Sequence, residues 1–105
     1  MERYAWRAKV RPECISEYRK RHDNLWPEMK SALKRAGIVN YSIWLDGHDL
    51  FGYYECEKGA AFAAKSQSES PVVKRWEEHM KDIMIMELDE NTGAQPLMAE
   101  VFRLD

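Results

Sequence analysis

From residue 3 to residue 11 apolar and polar positions alternate: Tyr4, Trp6, Ala8 and Val10 fall on one side, and Arg3, Arg7, Lys9 and Arg11 mainly on the other. A two-residue period is that of a half-buried strand. The period then lengthens. Pro12 suits the first turn of a helix, where its missing N–H is harmless. Ile15, Tyr18, His22, Leu25 or Trp26, Met29 and Leu33 recur at helical spacing up to Ala36, and Gly37 suits a helix C-terminus. Pro27 interrupts this run, because it disfavours helical geometry at Trp26 and cannot donate to a carbonyl one turn back. Two helical pieces joined by a bend over residues 23–26 are predicted.

Alternation returns with Val39, Tyr41, Ile43 and Leu45 against Asn40, Ser42, Trp44 and Asp46, a second strand. Asp46-Gly47-His48-Asp49 carries hairpin-turn chemistry, and a third strand is predicted over 50–57. A short helix over 60–65 and a polar loop over 66–70 follow. Ser70-Pro71 then begins a stronger helix running to about Met84, by the N-cap and first-turn preferences. Residues 87–96 read as polar loop and 97–104 as a closing strand. The order β-α-β-β-α-β is the split βαβ of the ferredoxin-like α+β class, as one domain over 1–105. One sheet face takes the helices. Tyr4 and Trp6 with Phe51 and Tyr53 supply more aromatic surface than two helices readily bury, so a homodimer with sheets packed face to face is expected.

Composition narrows the classes of function. The 105 residues carry a formal net charge of −2, with charges mixed along the chain, which argues against an electrostatic grip on nucleic acid or on an anionic membrane. No window has the length of a membrane span, and residues 1–10 lack the apolar stretch of a signal peptide, so a cytoplasmic location is expected. Cys14 and Cys56 have no CxxC partner and are expected to be free thiols.

The candidate chemistry centres on Tyr18, His22 and Trp26, four apart and stacked on one face if the helix is continuous. Histidine both gives and takes protons near neutrality, and aromatic neighbours can pack the apolar face of a sugar ring. Such stripes are usually packing, however, and spacing alone favours a place for His22 at the edge of the core. His48 lies in the hairpin turn, where exposure is the simple expectation, and His79 shares a helix face with Trp76. Glu55 and Glu57 point to the same side of a strand, as a carboxylate pair or as a solvated edge. The chain holds no HxH, HExxH or CxxC, no GxGxxG and no Walker loop, so no metal and no nucleotide cofactor is expected.

Longer blocks resemble a known family, the L-rhamnose mutarotases. They are Tyr4-Ala5-Trp6, Glu17-Tyr18 with Arg21-His22-Asp23 and Trp26-Pro27-Glu28, Asn40-Tyr41-Ser42-Ile43 with Leu45-Asp46, and Leu50-Phe51-Gly52. Arg75-Trp76 with His79-Met80, Asp82-Ile83-Met84 and Glu100-Val101-Phe102 continue the likeness through most of the chain. The resemblance implies a dimeric α+β barrel of ferredoxin-like subunits that interconverts the α- and β-anomers of L-rhamnose with no cofactor and no metal. It places the acid–base histidine at His22 and the sugar-binding residues at Tyr18, Tyr41 and Trp76. The second Trp of the family's Arg-Trp-Trp run is replaced here by Glu77. Two alternatives stand beside it: a mutarotase for another deoxy-hexose such as L-fucose, and a cofactor-free oxygenase, since small dimeric α+β barrels host that chemistry too.

Overall fold

A computed structural model describes residues 1–85 and 98–104. Strand β1 (Glu2–Val10) leads through a 3-10 turn at Pro12–Cys14 into helices α1 (Ile15–Asp23) and α2 (Pro27–Arg35). Strands β2 (Ile38–Asp46) and β3 (Asp49–Cys56) form a hairpin, followed by helices α3 (Ala60–Glu69) and α4 (Pro71–Met80), a 3-10 turn and the short strand β4 (Met84–Ile85). The sheet order is β2-β3-β1-β4 with every neighbouring pair antiparallel. This is the ferredoxin-like α+β arrangement, with each of its two helices broken into a pair.

The break between α1 and α2 has the expected cause. Trp26 precedes Pro27 and is extended, at φ −58° and ψ 135°. Its carbonyl accepts from the amides of Met29 and Lys30 at 3.0 and 3.1 Å and so opens α2. The end of α1 is closed by the Asn24 amide, which donates to the Lys20 carbonyl at 3.1 Å, and by Leu25, which donates to His22 at 3.2 Å. At the far end of α2, Gly37 takes a φ of 79°, which a residue with a Cβ rarely adopts. The Ser70 hydroxyl accepts from the Val73 amide at 3.3 Å, capping α4 as its sequence suggests.

Three expectations need correction. Helix α3 runs on to Glu69 through residues expected to be loop. Gln67 and Ser68 donate to the carbonyls of Ala63 and Lys65 at 3.2 and 2.9 Å, so their polar side chains cover the helix backbone instead of competing with it. Helix α4 stops at Met80, and Met84 belongs to β4, because Val10 and Lys9 at the end of β1 are there to pair with it. Residues 98–104 are not a regular strand, although the Met98 amide donates to the Ala5 carbonyl at 2.9 Å along the edge of β1. Leu97 and the loop expected over 87–96 lie outside the described residues. The aromatic residues of β1 and β3 divide between the two sheet faces. Register sets Trp6 opposite Gly52 and Tyr4 opposite Tyr54 on the helix side, while Phe51 opposes Arg7 and Tyr53 opposes Ala5 on the other.

Strand β2 changes phase partway. Ile38 opposes Cys56 and Val39 opposes Glu55, but Ser42 opposes Tyr53, so one extra residue is accommodated between them. Asn40 absorbs it with a φ of 51°, which asparagine tolerates better than most residues. Val39 therefore leaves the face that Tyr41, Ile43 and Leu45 share, and Ile38 takes a place in the core.

The core lies between the sheet and the helices, with Val10, Leu50 and Cys56 almost fully enclosed by Met29 and Ala32 of α2, Ala63 of α3, and Val73 and Met80 of α4. Cys14 and Cys56 are free thiols. No helix among the described residues is long and apolar enough to cross a membrane. At the centre of the sheet Trp6 lies over Gly52, and a Cβ added at Gly52 would meet the indole at 2.0–2.3 Å. Gly52→Ala is therefore expected to destabilise the fold by about 1–3 kcal/mol and to alter the near-ultraviolet dichroism of the tryptophans. A variant with wild-type melting temperature and spectrum refutes this packing.

Candidate active site

His22 sits in the last turn of α1, just before the bend, and is half-buried. Its Nδ1 lies 3.1 Å from the Tyr18 carbonyl oxygen. A carbonyl only accepts, so Nδ1 carries the proton and donates it, leaving Nε2 with its lone pair. The imidazole stacks at 4.3 Å on the Tyr18 ring, tilted by 31°, and meets the Trp76 ring edge-on at 5.4 Å. Burial pushes its pKa below the ordinary value of 6.5, against the opposing pull of the Tyr18 carbonyl and the Asp23 charge. His22 is accordingly neutral at neutral pH, a base with one defined lone pair.

Tyr18 is buried, and desolvation raises its hydroxyl strongly, with the Tyr41 phenol adding to the rise. Among the described residues its hydroxyl has no hydrogen-bond partner, yet no buried side-chain nitrogen or oxygen there is left without one, so this group is not sealed off by them. Tyr41 arrives from β2. It is 37% exposed, but its hydroxyl is deep enough for desolvation to push it up to about 12. That hydroxyl accepts from Trp6 Nε1 at 3.2 Å, and the Tyr41 ring lies 5.0 Å from Tyr54, itself stacked at 4.8 Å on Tyr4. The structure thus brings Tyr18, His22 and Trp76 into direct contact, while Tyr41 contacts Trp6 and Tyr54 and reaches Tyr18 only electrostatically.

Trp26 does not stack with Tyr18 and His22, because the bend turns it toward α4. There it meets Trp76 edge-on at 5.1 Å and His79 at 5.4 Å. A cavity of about 300 Å³ is walled by Trp26, Trp76 and His79, with Glu17, Lys20, Arg21 and Asn24 around it. Arg21 closes the arrangement. Its Nη1 donates to Asp82 at 2.9 Å and to the His79 carbonyl at 2.7 Å, and its Nη2 reaches Asp82 at 3.3 Å. The clamp ties α1 to the end of α4 and so holds His22 against Trp76. The neighbouring Arg21 guanidinium keeps the Asp82 carboxyl below its usual range. Glu77, next to Trp76 on α4, has its carboxyl raised by desolvation against the opposing charge of Lys81.

The other candidates are structural. His48 is half-buried rather than exposed, with Nδ1 3.2 Å from the Val10 carbonyl, and it fastens the hairpin to β1. Glu55 makes no pair with Glu57: it accepts from Asn40 Nδ2 at the bulge and from the Tyr53 hydroxyl at 3.1 Å. Sequence reasoning did not assign Arg21, Trp6 or Gly52. A glycine inside a strand, opposite a tryptophan, was the available signal.

Fold and candidate site together define a small α+β domain in which a half-buried histidine lies against Tyr18 and Trp76, next to a cavity that Trp76 lines and that His22, Tyr18 and Tyr41 do not. Residues 3–104 match the family model described as L-rhamnose mutarotase. An L-rhamnose mutarotase of Jannaschia sp. (strain CCS1) is 39% identical, over 92% of this chain and 93% of that protein. One from Cronobacter sakazakii is 39% identical over the whole of both chains. The crystal structure of an L-rhamnose mutarotase from Formosa agariphila superposes with a TM-score of 0.81 at 31% identity, covering all of each chain. The chain belongs to the L-rhamnose mutarotase family.

The histidine state is directly measurable. Nitrogen-detected NMR should find the Nδ1–H tautomer and a midpoint below 6.5. Because the folded pKa is the lower one, the unfolded chain takes up the proton first. The contribution of neutral His22 to stability is then complete above the unfolded value and is lost as pH falls below it. A midpoint above 6.5 refutes the burial argument.

Proposed function

We propose that this chain interconverts the α- and β-anomers of L-rhamnose by opening and reclosing the pyranose ring, in support of L-rhamnose metabolism, with His22 as the acid–base residue. The carrying observation is the His22 imidazole with Nδ1 committed to the Tyr18 carbonyl and Nε2 given no partner among the described residues, beside the rings of Tyr18 and Trp76. Ring opening needs the proton of the anomeric hydroxyl removed and one delivered to the ring oxygen. A neutral Nε2 meets the first need, and the same nitrogen, once protonated, returns the proton on reclosure. Tyr18 and Tyr41 hold sugar hydroxyls, and Trp76 packs against the ring or its methyl group. Proton transfer by one placed group is typically worth about 10²–10⁴-fold, enough for a reaction already visible in water. The chemistry asks for no metal and no cofactor.

Saturation-transfer NMR at the anomeric proton is the test. Wild-type protein should exchange L-rhamnose faster than L-fucose, L-lyxose or D-glucose, with the comparison among these sugars reporting on the wall that carries Glu77. His22→Ala should lose about 10²–10⁴-fold of the acceleration. Exchange at the wild-type rate in that variant removes His22 from the mechanism.

The same proposal includes a cytoplasmic homodimer. Phe51 and Tyr53 lie on the sheet face away from the helices, and Trp44, paired with Phe51, is 68% exposed. Residues 98–104 run along the edge of β1, tied by Arg3 to Glu100 at 2.5 Å, with Val101 95% and Phe102 79% exposed. A second copy packed on this face covers these side chains. Light scattering should give twice the chain mass; a single-chain mass at micromolar concentration rejects the dimer.

A further inference from the structure

Ring opening needs an acid as well as a base, and the structure distinguishes the two phenols available. Among the described residues Tyr18 has no donor on its oxygen. Tyr41 has one: Trp6 Nε1 at 3.2 Å. An indole N–H can only donate, so the Tyr41 oxygen is the acceptor and its own proton must point elsewhere. No described residue takes that proton. The indole is in turn buried and laid on the bare backbone of Gly52, where a Cβ would come within 2.3 Å of Nε1. Trp6 spans from β1 over β3 to reach a residue of β2, and Tyr41 shares with Ile43, which pairs with Gly52, the sheet face on which the indole lies.

We propose that Tyr41 is the acid of the reaction and that Trp6, seated on Gly52, is the positioning residue that aims its hydroxyl at the sugar. The assignment rests on the mutarotase function proposed above. In the opening step the anomeric O–H gives its proton to His22 Nε2, its electrons form the C1 carbonyl, and the bond from C1 to the ring oxygen breaks. The ring oxygen takes the Tyr41 proton, leaving a phenolate that the Trp6 N–H continues to hydrogen-bond. After rotation about the C1–C2 bond the ring oxygen adds to the other face of the carbonyl. Histidinium returns its proton to the carbonyl oxygen, and the phenolate recovers its own, so charge and atoms balance over the cycle. An N–H donor on the phenol oxygen favours the phenolate over the phenol, which is the direction an acid requires; Tyr18 lacks that help.

The test pairs kinetics with a readout independent of activity. In the amide-and-indole NMR spectrum, Tyr41→Phe should move the Trp6 Nε1–H peak, since its acceptor is gone; an unmoved peak overturns the proposal whatever the rates are. In L-rhamnose exchange, Tyr41→Phe should lower kcat by about 100-fold or more. Trp6→Phe should lower kcat by about 10-fold with KM within about 3-fold, and should cost nothing further in the Tyr41→Phe background, because both act through one hydroxyl. Replacing Trp6 by benzothienylalanine, which keeps the bicyclic shape and lacks the N–H, should behave like Trp6→Phe and guards against a folding defect. Multiplying effects in the double variant, or a benzothienyl variant with wild-type kcat, overturns the positioning role. Wild-type protein that accelerates no sugar defeats the mutarotase assignment and the Tyr41 acid with it, even when the peak moves and the hydrogen bond stands.

Discussion

The contact on which the site depends is the flat seating of the Trp6 indole on the Gly52 backbone. It occurs in the central pair of the sheet, where β1 and β3 run antiparallel and Trp6 opposes Gly52. A side chain at position 52 would hold the indole off the sheet; without one, the ring lies across β3 and its N–H reaches β2. One steric vacancy thus buries a large aromatic residue, satisfies its only polar atom and fixes the tyrosine that closes one side of the site. The wall formed by Tyr4, Tyr54 and Tyr41 continues from it along the same sheet face.

The opposite side of the site is built by helices, and there the organising constraint is the Trp26-Pro27 break. A continuous helix would have carried Trp26 onto the face of Tyr18 and His22. The extended residue before proline instead delivers it to α4, where it buttresses Trp76, while His22 remains in the last turn of α1. Arg21 locks the two helices through Asp82 and the His79 carbonyl. Exposed ion pairs contribute little to stability, but this guanidinium is mostly covered and bonded at both nitrogens, so its main effect is on the distance between His22 and Trp76.

Much of this was legible in the residues alone. Alternation in β1, β2 and β3, the prolines at 12, 27 and 71, and the glycines at 37 and 47 mark nearly every boundary up to Met80. What failed had physical reasons. Met80, Ile83 and Met84 continue a helical spacing, so only the available edge of β1 shows that Met84 starts a strand. Ser66, Gln67 and Ser68 look like loop until their side chains are seen bonded back onto α3. Of the candidate residues, Tyr18, Tyr41 and Trp76 came from family likeness and His22 from that likeness joined to its spacing with Tyr18, while the bulge beside Tyr41 is not revealed by local pattern. Asn40 reads as an ordinary outward polar residue.

That bulge also makes the site a matter of parity. Ile38 and Tyr41 are an odd number of residues apart, and a regular strand must send one of them inward and the other out. The added residue at Asn40 lets both face the helices, Ile38 as core and Tyr41 as part of the site. A chain shortened by one residue here would regain perfect alternation and have to choose between its packing and its chemistry. The reading frame of this edge strand, as much as the identity of its side chains, therefore decides which residues meet the helices.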